Sequence, residues 1–78
     1  MNNDLLANID KIHTTKLSVE RIRRNLGLDI DDTIAWCKLK IESANGIIRK
    51  GKNWYVHAGN SIITINARSY TIITAHRK

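Results

Sequence analysis

The apolar residues of this chain change their spacing once, at Asn45-Gly46, and that change restricts what the chain can fold into. Upstream the spacing is helical. Leu5, Leu6, Ile9 and Ile12 fall on one helical face within residues 4–13, and Thr14-Thr15 interrupts it. A second helix begins with Ser18 as N-cap, because its hydroxyl can accept from a free amide of the first turn. It continues through Val19, Ile22 and Leu26, and Gly27 supplies the left-handed stop. Asp29 or Asp31 caps a third helix, with acids at the positive end of its dipole. Its apolar stripe is Ile30, Ile34, Cys37 and Ile41, and Asn45-Gly46 ends it.

Downstream the period is two. Segments 47–50, 54–58, 61–66 and 70–76 are rich in β-branched and aromatic residues, and no proline interrupts them. The separators Gly51-Lys52-Asn53, Gly59-Asn60 and Ala67-Arg68-Ser69 are short enough for hairpin turns. The expectation is an α+β fold, with two to three N-terminal helices (about 4–44) packed on one face of a four-stranded antiparallel β-meander (about 47–76). With 78 residues, it is one domain spanning 1–78 that buries about 60% of its unfolded surface.

Charge follows the same division. All seven acids lie at or before Glu42, where seven bases balance them. From Gly46 onward come Arg49, Lys50, Lys52, Arg68, Arg77 and Lys78 with no acid, so the β half carries the whole net charge of +6. An acid-free basic sheet points to a polyanionic partner, and these six residues are the candidate nucleic-acid contacts. No apolar run approaches the length of a membrane span, and the first ten residues are too polar for a signal peptide. The single Cys37 requires no oxidising compartment, so a cytoplasmic location is expected.

The turns also predict which residues share a face. A two-residue turn at Gly59-Asn60 sets Val56 opposite Ile63 and Trp54 opposite Ile65, an apolar face for the helices to cover. A three-residue turn at 67–69 adds Thr71, Ile73 and Ala75 to that face. The other face then shows Tyr55, His57, Thr64, Asn66, Tyr70, Thr74 and His76, with Ile62 and Ile72 among them. A three-residue turn at 51–53 adds Arg49 beside Tyr55. His57 and His76 would sit about 10 Å apart, two strand spacings, plus a diagonal offset.

That collection of residue types fits metal-independent RNA cleavage. The reaction needs a base for the 2′-hydroxyl proton, an acid for the leaving oxygen and a cation for the phosphorane charge. His57 and His76 fill the first two roles and Arg49 or Lys52 the third, with Tyr55 and Thr74 beside them. The plainer reading makes His57 an exposed strand residue and His76 part of a solvated tail. His13, at the end of the first helix, is explained by the helix C-terminus. Three histidines and one cysteine match no zinc spacing, and there is no Gly-rich phosphate loop, so no metal or cofactor is implied. Trp36 and Trp54 read as core anchors and Cys37 as a packing residue.

Residues 49–56 (Arg-Lys-Gly-Lys-Asn-Trp-Tyr-Val), Ile63-Thr64-Ile65-Asn66, Ser69–Thr74 and Val19-Glu20-Arg21-Ile22 together resemble a small bacterial domain family of unknown function, over most of the chain. More distantly, helices followed by a meander ending in an Ile-Thr-Ala strand resemble the barnase, colicin and RelE-type ribonuclease fold. That resemblance implies a compact endoribonuclease toxin, with catalytic residues on the sheet and an acidic antitoxin as partner. Two rival readings stand. Residues 17–56 also parse as a winged helix-turn-helix that binds DNA, although Asp31, Asp32 and Glu42 on its recognition helix oppose phosphate. A mobile-element or phage inhibitor of a host protein is the third, with Ile62 and Ile72 serving a protein interface.

Overall fold

The computed structural model describes residues 4–27 and 32–77. Its elements run α1 (Asp4–Ala7), a single 3-10 turn (Ile9–Lys11), β1 (His13–Thr14), α2 (Lys16–Leu26), α3 (Thr33–Glu42), β2 (Gly46–Lys50), β3 (Asn53–Ala58), β4 (Ser61–Asn66) and β5 (Thr71–Arg77). The fold is α+β. Its sheet has the order β1-β5-β4-β3-β2, antiparallel from β2 to β5, with β1 added parallel to β5. The sequence leads to four strands because His13-Thr14 is too short to show a period, and its pairing partner lies 58 residues away.

Helix ends differ from the sequence reading by a few residues. Thr15, not Ser18, caps α2: its Oγ1 accepts from the Ser18 amide at 3.1 Å, and Ser18 is buried inside the first turn. Gly27 closes α2 in the left-handed region, with φ +63°. Asp32 caps α3 through Oδ1, which accepts from the Ala35 amide at 3.0 Å. Asp29, Ile30 and Asp31 lie outside the described residues. The proposed first helix splits into α1, the 3-10 turn and β1, which leaves Leu6 exposed while Leu5 and Ile12 are buried.

One face of the sheet meets the helices. Ile22 and Leu26 of α2, Cys37 and Ile41 of α3, and Leu5 and Ile12 pack with Trp54, Val56, Ile63, Ile65, Ile72 and Ala75 in one buried cluster. The Val56–Ile63 and Trp54–Ile65 pairs are those expected from Gly59-Asn60. The other two turns differ. Gly51-Lys52 is a two-residue turn, so Arg49 pairs with Trp54 and Ile48 with Tyr55. The β4–β5 turn has four residues, 67–70, and a bulge then interrupts the ladder between Thr64 and Ile65. Ile72 therefore pairs with Ile65 and is fully buried on the helix side, whereas it was expected on the open side.

Candidate functional site

The face turned away from the helices is built as rows of cross-strand partners, which share a side of the sheet. One row is His57–Ile62–His76, the next Ile48–Tyr55–Thr64–Thr74, and the third Lys50–Asn53–Asn66. Ile62 thus separates the two histidines in a single row without a diagonal offset, about 10 Å apart by strand spacing. Ile48, Lys50, Gly51, Tyr55, His57 and Ile62 line a shallow concavity of about 500 Å³ on this face. His57 and Tyr55 are half-buried in it, while His76 is exposed at its far side. The site thus combines an apolar floor, one phenol, two imidazoles and one ammonium. It can seat a planar group against Tyr55 and Ile62 and an anion near Lys50.

Three of the expected participants are elsewhere. Arg49 is turned to the helix side by the two-residue turn, and its guanidinium lies over the Trp54 ring at 5.6 Å. It cannot serve as the cation beside Tyr55, and Lys50 takes that position. Arg77 is also on the helix side, where it borders a cleft with Leu26, Trp36 and Lys40. Lys78 lies outside the described residues. Thr74 keeps its expected row, but its hydroxyl accepts from Asn25 Nδ2 of α2 at 3.2 Å, so it ties helix to strand. Tyr70 leaves the open face entirely. It ends the β4–β5 turn at φ +58°, with its ring 5.3 Å from that of Trp54.

Lys52 and Arg68 stay on turns, and the meander brings those turns to the same end of the sheet. Arg49, Lys52, Asn66, Ala67 and Arg68 line a concavity of about 450 Å³ there. Alternate turns of a meander always lie at one end, so this juxtaposition was available from strand order alone.

His13 is not a helix-end residue. As part of β1 it donates from Nδ1 to the Lys11 carbonyl, 3.1 Å away, and its Nε2 lies 2.9 Å from Thr71 Oγ1. Thr71 Oγ1 is in turn 2.8 Å from Ser69 Oγ, and Ser69 Oγ is 3.2 Å from Asn66 Oδ1. Ser69 donates to that Asn66 oxygen, and this chain of four side chains runs from β1 through β5 to the turn. It works as a latch between β1, the turn and β5. Cys37 is fully buried in α3, and desolvation pushes its thiol up to about 12, the wrong direction for a nucleophile.

Residues 6–76 match a family model described as a protein of unknown function, DUF3781, in line with the resemblance carried by residues 19–22 and the β half. No curated protein and no solved structure matches the chain, and none of the comparisons supports the more distant ribonuclease-toxin resemblance. Among the described residues, no helix is long and apolar enough to cross a membrane.

Proposed function

The chain belongs to the DUF3781 family, whose function is unknown, and we propose that it acts on RNA, as a small metal-independent endoribonuclease working on the open face of its sheet. The observation that carries the reading is the row His57–Ile62–His76 beside the Tyr55 and Lys50 concavity. A single strand laid across this face stacks a base on Tyr55 and Ile62 and sets a phosphodiester between the imidazoles. His57, the more enclosed of the two, takes the 2′-hydroxyl proton as the 2′ oxygen forms its bond to phosphorus. His76 gives a proton to the 5′ oxygen as its bond to phosphorus breaks. The products are a 2′,3′-cyclic phosphate and a 5′-hydroxyl, and Lys50 offsets the charge on the phosphorane. Thr74, held by Asn25, and Arg49, on the other side of the sheet, take no part in the step.

The test is incubation with total RNA in EDTA, beside a His57→Ala His76→Ala variant. We expect wild-type protein to leave cyclic-phosphate ends, and the double variant to bind single-stranded RNA without cutting it. RNA equally intact in both samples and in buffer overturns the enzyme. Tighter binding to duplex DNA than to single-stranded RNA overturns the choice of substrate and favours the winged-helix reading. A stable protein complex without nucleic-acid binding favours the inhibitor.

A further inference from the structure

Outside the histidine row, the best-organised chemistry is at the turn end of the sheet. Two turns that are distant in sequence are joined there by one backbone bond, from the Ala67 amide to the Lys52 carbonyl at 2.8 Å. Asn66 Oδ1 shapes the second turn, accepting from the Arg68 and Ser69 amides at 2.9 and 3.0 Å. The Arg49 side chain is fixed from two directions, by its face-on position over Trp54 and by its Nε, which donates to the Gly51 carbonyl at 3.1 Å. Tyr70 also packs on Trp54, with ring centroids 5.3 Å apart, and occupies the left-handed region, an uncommon backbone conformation for an aromatic residue. No carboxylate pairs with Arg49, Lys52 or Arg68 among the described residues. The result is three cations around a concavity of about 450 Å³, one of them held in place by a ring and a carbonyl.

We propose that Arg49, Lys52 and Arg68 form a phosphate-binding pocket, separate from the histidine row, that holds a phosphate of the RNA strand. Arginine suits the role because its planar fork can meet two phosphate oxygens at once, and a fixed fork loses little freedom on binding. The pocket lies roughly 15 Å along β3 from His57, at about 3.4 Å per residue. The pocket closes the end of the sheet, so a strand held there by Lys52 and Arg68 turns over that end onto the open face, and the pocket sets which linkage reaches the histidines. The phosphate chemistry rests on this pocket alone, and only its source rests on the RNA reading.

The test titrates the full chain with inorganic pyrophosphate at constant ionic strength and follows the amide resonances of Gly51, Lys52, Ala67 and Arg68. We expect saturable shifts at these residues, and at least a tenfold weaker response in a Lys52→Ala Arg68→Ala variant that melts as the wild type does. Arg49→Lys, which keeps the charge but loses the fork, should also weaken the response. Oligoribonucleotides with a 5′-phosphate or a 5′-hydroxyl then identify the source. A preference for the phosphorylated end supports a terminal subsite, and equal binding that needs Lys52 and Arg68 supports a backbone subsite. Pyrophosphate binding with no RNA binding supports the pocket and overturns the RNA reading. RNA shifts confined to Tyr55 and His57, with no pyrophosphate response, overturn the pocket and leave the RNA reading standing.

Discussion

At Cys37 a single side chain shows how burial decides between chemistry and packing. The residue is fully buried, and the raised thiol follows from desolvation of its charged form. In the folded protein the proton stays on to about 12, whereas an unfolded thiol loses it near the ordinary 9.0. The folded state therefore holds more protons between those values, and the contribution of this group to stability falls as pH rises from about 9 toward about 12. It is fully present at neutral pH. We expect no labelling by a thiol reagent at pH 8 in native buffer and complete labelling in urea. Fast native labelling would show that α3 opens readily from the sheet. Tyr70 is the opposite case, a half-buried ring held at φ +58° because its contact with Trp54 and its carbonyl bond to the His13 amide both depend on that turn.

At the level of elements, the two caps and the three turns behave differently. Thr15 accepts from the Ser18 amide and lies just outside α2, while the Ser18 hydroxyl is enclosed within it. Thr15→Ala is expected to cost about 1 kcal/mol in urea unfolding and Ser18→Ala less, and the reverse order would move the cap to Ser18. The β3–β4 register was legible because Gly59-Asn60 permits one common turn and alternating residues follow it. The outer strands were less legible because a one-residue change in a turn inverts every residue after it. Gly51-Lys52 closes with two residues rather than three, and that alone moved Arg49 to the helix side. In β5 two slips cancel: the four-residue turn inverts Ile72, and the bulge restores Thr74 and His76 to the open side. His57 and His76 therefore share a face, as expected, although the β4–β5 pairing between them differs. The latch through His13 was out of reach, because a two-residue parallel strand leaves no pattern in the sequence.

Over the whole molecule, the fold divides a basic β half that the sequence presents as one block. Lys50 borders the open face, Arg49, Lys52 and Arg68 surround the turn end, and Arg77 faces the helix side near Leu26 and Trp36. A polyanion bound across the open face toward the turn end therefore meets some of these cations and misses others. For single strands each neutralised phosphate contributes about 0.7 to the slope of log affinity against log salt. Lys50→Gln should reduce the slope for a single-stranded oligoribonucleotide by about 0.7 and weaken binding at every salt concentration. Arg77→Gln removes the same formal charge from the far side of the sheet, so a site on the open face predicts an unchanged slope. Net charge acting at a distance predicts instead that the two variants lose affinity equally. Anisotropy titrations of both variants over a range of salt concentrations separate these cases, and equal slopes would mean that no single face of the sheet is the binding surface.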